Sequence, residues 1–183
     1  MKPETKAVDQ VLPAVRALFA AAGVPFKIVG GVAVVHHGYA RLTDDIDLLV
    51  DPSVPNRLDD LLNAHGFRRE AADRLRHEAT GVGVDLLLAG HPMPRPGSPL
   101  YPLFDSVESS PSDPDVAGLR SLLELKLYAR RHKDLADVVE LLKGVDDGVY
   151  VALEGGVAVS LRSELAALRR DAIEELRFER RGA

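Results

Sequence analysis

Residues 45–50, Asp-Ile-Asp-Leu-Leu-Val, place two carboxylates within one short apolar strand. Side chains alternate across a strand, so Asp45 and Asp47 point the same way with Cα atoms about 6.5–7 Å apart, while Ile46, Leu48 and Val50 point toward a core. A chain built this way must form a sheet that buries one face and leaves part of the other to charge. Asp44 adjoins the pair. In Val-Gly-Val-Asp-Leu-Leu-Leu, residues 82–88, a single acid, Asp85, again interrupts an apolar strand. Carboxylates gathered on one sheet raise one another's pKa values unless a cation offsets the repulsion. Mg²⁺ suits such a set, because it takes oxygen ligands and is usually completed by waters and substrate phosphates. The plainer alternative is a solvated strand edge, with Asp85 paired to Arg74 or Arg76.

The chain leading into the acid strand narrows the choice. Phe26 to Val29 reads as a short strand and Gly31 to Tyr39 as a helix, with Gly30 and Gly31 at the transition. Backbone N–H groups at a helix start can receive a phosphate, and glycine permits close approach. The pair lacks the third glycine of a dinucleotide fingerprint and the Gly-Lys-Ser/Thr of a P-loop. Lys6 to Ala22 precedes it as an amphipathic helix, and Val54 to Ala64 follows as a helix closed by Gly66. Leu75 to Ala79 and Val84 to Leu88 read as paired strands about a glycine-containing turn.

The stretch from Gly90 through Pro114 carries seven prolines and is the natural boundary between two parts. The expected division is an α/β part over 1–110 and a helical part over 115–183, with helices at Val116 to Arg131, Asp134 to Leu142 and Ser160 to Arg180. The chain has 183 residues, 46% of them apolar, which is enough for a core. There is no cysteine, so thiol nucleophiles and thiolate metal sites are excluded. A net charge of −5 argues against strong non-specific binding to nucleic acid. Neither a bilayer-spanning run nor the apolar core of a secretion signal is evident, so a cytoplasmic protein without a membrane partner is expected.

The stretch from Ile28 to Val50, IVGGVAVVHHGYARLTDDIDLLV, resembles the signature of the DNA polymerase β-like nucleotidyltransferase superfamily. The matching pieces are a double glycine at a helix start, an Asp-x-Asp strand and a third acid on a later strand. The Gly-Gly-x-Ala, His-Gly, Arg-x-Thr and Asp-Ile-Asp pieces, with RRHKDLAD near residue 134, resemble the AbiEii-like branch of bacterial toxin–antitoxin systems. The resemblance implies a mixed α/β (α+β) sheet flanked by helices, with a helical C-terminal part completing a cleft. It implies that Gly30 and Gly31 hold nucleotide phosphates and that Asp45, Asp47 and Asp85 hold one or two Mg²⁺ ions. At position 31 the superfamily usually has serine, so the phosphate would meet only backbone here. The implied reaction moves a nucleoside monophosphate from a triphosphate such as ATP to a hydroxyl, with Asp85 helping to deprotonate the acceptor.

Most supporting residues carry a structural reading beside a functional one. Lys126 falls in the same helical stripe as Leu119, Leu122 and Leu123, where a lysine either snorkels to solvent or faces a cleft. The resemblance favours the cleft and a role at the triphosphate. Asp134 suits a helix N-terminus, while the resemblance places Lys133 and Asp134 near the nucleotide. Arg41 and Thr43 lead into the acid strand, where they either orient a carboxylate, touch phosphate or serve the loop. Adjacent His36 and His37 point about 100° apart on a helix and are expected to pack rather than to share a metal. The acceptor is open among the 3′ end of a tRNA, a protein hydroxyl and a small molecule such as an aminoglycoside. A toxin would imply a cognate antitoxin. The rivals are a catalytically silent module that binds a nucleotide or a protein, and a metal-dependent phosphohydrolase, for which no His-Asp ligand cluster is evident.

Overall fold

The computed structural model describes residues 3–94, 97 and 99–182. Helix α1 (Pro3–Ala22) leads into strand β1 (Lys27–Val29), helix α2 (Gly30–His36) and strand β2 (Asp45–Val50). A short helix α3 (Val54–Leu58) and two 3₁₀ turns end at Gly66, whose positive φ of 77° reverses the chain into β3 (Phe67–Ala71). Strands β4 (Arg74–His77) and β5 (Gly83–Leu88) follow, then β6 (Ser109–Ser110) and β7 (Asp113–Ala117) beyond the proline-rich stretch. Helices α4 (Leu119–Ala129), α5 (His132–Lys143), α6 (Asp147–Gly156) and α7 (Val159–Gly182) complete the chain.

The seven strands form one mixed sheet in the order β3-β4-β5-β2-β1-β7-β6. β2 is central, parallel to β5 and antiparallel to β1. β7 adds to β1 in parallel. The helix expected from Val116 therefore begins at Leu119, after a strand that draws residues 113–117 into the sheet. Arg16 on α1 ties this strand down through ion pairs to both Asp113 and Asp115.

Ile46, Leu48 and Val50 are fully buried, as period-two alternation requires. They join α1, α4, α5 and α7 in the main core through Leu18, Phe19, Leu122, Leu123, Val138 and Leu165. On the opposite face, Leu49 is covered by a smaller cluster with Val29, Met93, Val107 and Leu125. The acid face is thus apolar at the Leu49 end of β2 and charged at the Asp45 end. No helix among the described residues is long and apolar enough to cross a membrane.

Candidate active site

Parallel pairing of β2 with β5 sets Asp47 directly opposite Asp85, and Asp45 opposite Gly83. Adjacent strands lie about 4.8 Å apart, so Asp47 and Asp85 are side-by-side neighbours on the face that Asp45 shares. On the other flank β1 places Val29 opposite Asp47, and Gly30 follows it at once. Gly30 has φ of +60°, and a Cβ there would overlap Asp47 Oδ2 and lie 2.6 Å from its Cγ. The glycine therefore makes the seat of the carboxylate. Gly31 is filled from its own side: a Cβ would overlap Thr43 Oγ1 and come within 3.0 Å of Arg41 Nη2. Thr43 is buried, and its hydroxyl donates to the carbonyl of Asp45 at 3.2 Å.

Burial first, then the charges of Asp45 and Asp85, push the Asp47 carboxyl above the ordinary carboxylate range, against the pull of Lys133 and Arg131. Burial likewise raises Asp85, helped by Asp45 and opposed by Arg74. Arg74 Nη1 donates to both Asp85 oxygens, at 2.8 and 3.1 Å. Among the described residues, no three His, Asp or Glu side chains stand close enough together to hold a metal ion. Asp45, Asp47 and Asp85 thus share a face, with Asp85 engaged by the guanidinium. The donor set itself, hard carboxylate oxygens with one seated against a bare glycine, fits Mg²⁺.

The facing wall is the junction of α4 and α5. Lys126 is buried among leucines, yet it is not alone: its Nζ lies 2.6 Å from Asp137 Oδ2 and 3.5 Å from Asp134 Oδ1. Arg41 Nε lies 3.0 Å from Asp137 Oδ1 as an ion pair. Arg130, in the left-handed region at φ 50°, turns the chain between the helices. Arg131 then donates through Nε to Asp134 Oδ2 at 2.6 Å, and its backbone N–H meets the same oxygen at 3.2 Å. Burial raises Asp134, but these bonds and the charges of Arg131 and Lys126 outweigh it, so its carboxyl is lowered overall.

Between floor and wall lies a cavity of about 880 Å³, a size that accommodates a nucleotide-sized ligand. Of the residues singled out from sequence, Gly30, Asp47, Asp85, Lys126 and Asp134 line it; Asp45, Gly31, Arg41, Thr43 and Lys133 do not. Lys133 is exposed, although its charge reaches Asp47. His36 bonds to Ser110 and His37 to the carbonyl of Ala117, so both serve packing against β6 and β7. The sequence reading did not single out Tyr101, Met93 or Arg131 as lining residues. Tyr101 comes from the proline-rich stretch, where Tyr101 N–H bonds to His91 O and Gly90 N–H to Tyr101 O. Burial and the negative charge of Asp47 raise its phenol. Arg131 could have been found from its place one residue before a basic helix start.

No family model matches the chain, and no curated protein matches it. Among solved structures, the solution structure of the antibiotic-resistance factor ANT(2'')-Ia superimposes with a TM-score of 0.56 at 16% identity, over 93% of this chain and 99% of that one. The crystal structure of ANT(2'')-Ia in complex with adenylyl-2''-tobramycin superimposes with a TM-score of 0.53 at 13% identity, over 94% and 99%. The fold is nucleotidyltransferase-like. The similarity extends over nearly the whole chain, including the helical part. At such identity it carries the architecture, and the chemistry must be argued from the cavity.

Proposed function

We propose that the cavity binds a nucleoside triphosphate and that the protein transfers its nucleoside monophosphate to a hydroxyl acceptor. One observation carries this reading: Asp47 and Asp85 stand in register on adjacent strands, in a cavity whose other wall bears Lys126 and Arg131. Acidic floor and basic wall are complementary to the two ends of a metal–triphosphate complex. Asp45, Asp47 and Asp85 would hold Mg²⁺, one ion or two. Bound there, Mg²⁺ would polarise the phosphate and offset charge on the entering and leaving oxygens.

Arg131 then receives the anionic phosphates, the charge of exposed Lys133 adds to the site from outside the cavity lining, and Gly30 keeps the approach to Asp47 open. Lys126 acts from within its pair with Asp137 and Asp134, holding the wall in place as well as adding charge. The acceptor oxygen attacks the α-phosphorus in line, the bond to the β-phosphate oxygen breaks, and pyrophosphate leaves. Asp85 helps to take the acceptor proton. Leu86, Leu87, Met93 and Tyr101 supply apolar surface for a base or an acceptor ring.

For the acceptor, the fold shared with a protein solved on adenylyl-2''-tobramycin and the added carboxylate of Asp73 on the cavity lining favour a cationic small molecule. The AbiEii-like motif pieces favour the 3′ end of a tRNA, with a cognate antitoxin as partner. The deciding experiment incubates the protein with Mg²⁺, each α-labelled triphosphate, and separately total RNA, cell extract and aminoglycosides. Label should move to one acceptor class and fall about 100-fold or more in Asp45→Asn and Asp47→Asn, since metal-borne charge stabilisation is worth several kcal/mol. Tight nucleotide binding without transfer to any acceptor would establish the silent module instead.

A further inference from the structure

Arg74 stands among the carboxylates rather than beside them. Its Nη1 bridges both oxygens of Asp85, and its guanidinium lies over Gly83, where a Cβ would come within 2.6 Å of Nη2 and 3.2 Å of Cζ. Gly83 is the partner of Asp45 across the β2–β5 ladder, so the guanidinium occupies the same face as the acids. Only a residue without a side chain at 83 admits it there.

The hold from behind is light. Arg74 Nε reaches Glu70 Oε2 at 3.2 Å, whereas Arg76 binds both Glu70 oxygens, at 2.8 and 2.7 Å. Glu70 therefore keeps a partner when Arg74 leaves. Arg74 is also 36% exposed at its side chain, so water is available to it on withdrawal.

We propose that Arg74 is a displaceable internal cation: it occupies Asp85 in the metal-free protein and withdraws when a divalent ion binds, delivering Asp85 to Asp45 and Asp47. The inference rests on the nucleotidyl-transfer reading of the same site and adds a positioning residue to it. Its consequence is that cation affinity carries the cost of breaking the Arg74–Asp85 pair.

The test is Mn²⁺ binding by electron paramagnetic resonance to the wild-type chain, Arg74→Ala, Gly83→Ala and Asp47→Asn, with folding checked by thermal melts. Arg74→Ala removes the cation and its charge together. Gly83→Ala keeps the charge and evicts the guanidinium, which separates displacement from plain electrostatics. Both should bind Mn²⁺ about tenfold more tightly than wild type, which is about 1.4 kcal/mol. Added Mg²⁺ should also shift the Arg74 Nε–H resonance of the wild type. Wild-type binding that is lost in Asp47→Asn yet unchanged in Arg74→Ala and Gly83→Ala would overturn the inference and leave the functional reading standing. Binding by none of the proteins would overturn both.

Discussion

At the scale of single residues, the site turns on a contradiction between stability and charge. Ionising Asp47 is costly, because burial and its two acidic neighbours all push its carboxyl upward. Asp47→Asn removes that repulsion, so the metal-free variant should melt higher than wild type at neutral pH, each kcal/mol relieved giving about 2–4 °C in a chain of this size. The same variant should lose metal-dependent transfer. Gly30→Ala acts the other way: the added Cβ overlaps the Asp47 carboxylate in a left-handed backbone position. It should cost about 1–3 kcal/mol in denaturant unfolding and weaken cation binding, since the carboxylate must leave its seat.

Between elements, the junction of α4 and α5 is fixed by charge rather than by apolar packing alone. Lys126, Asp134 and Asp137 are all nearly fully buried, and Arg41 closes the cluster from the loop before β2. Removing one partner strands the others, so Asp137→Ala should destabilise by about 3–5 kcal/mol in urea unfolding. The sequence made part of this legible. A lysine in a leucine stripe announces an unmet need, but only the fold tells that two aspartates of the next helix meet it. The acid strand β2 and its neighbour β5 were readable because period-two alternation leaves each acid on a defined face. β7 was not: Asp-Pro-Asp-Val-Ala, residues 113–117, carries acids and a proline, and it forms a strand because β1 and Arg16 hold it. β3 was hidden for a related reason, being a polar edge strand with an irregular register after Arg69. For Asp85, sequence left Arg74 and Arg76 equal. The register settles it, because Arg74 lies opposite Asp85 and Arg76 opposite Gly83.

Across the whole molecule, these charges set a pH dependence with two limbs. The Asp47 and Asp85 carboxyls are raised on folding. The unfolded chain therefore gives up those protons first as pH rises, and stability falls from the ordinary carboxylate range up to the raised folded values. Asp134 is lowered on folding, so its contribution is complete above the ordinary range and is lost as pH falls through the folded value. The two limbs meet near the ordinary carboxylate range. The metal-free protein should thus be most stable on the acid side of neutrality, as read from urea unfolding across a pH series, and Mg²⁺ should restore the neutral side.

In the proposed function, acids from separate strands and cations from the α4–α5 junction enclose one site for a metal-bound triphosphate. The most direct measurement is the melting temperature of wild type and Asp47→Asn with Mg²⁺ and each nucleoside triphosphate, alone and together. At a hundredfold excess over Kd the combined ligand stabilises the folded state by about 2.7 kcal/mol, a rise of about 5–10 °C in wild type, absent in Asp47→Asn. An unchanged wild-type melting temperature with Mg²⁺ and every triphosphate at saturating concentration, or an equal rise in the variant, would contradict the account.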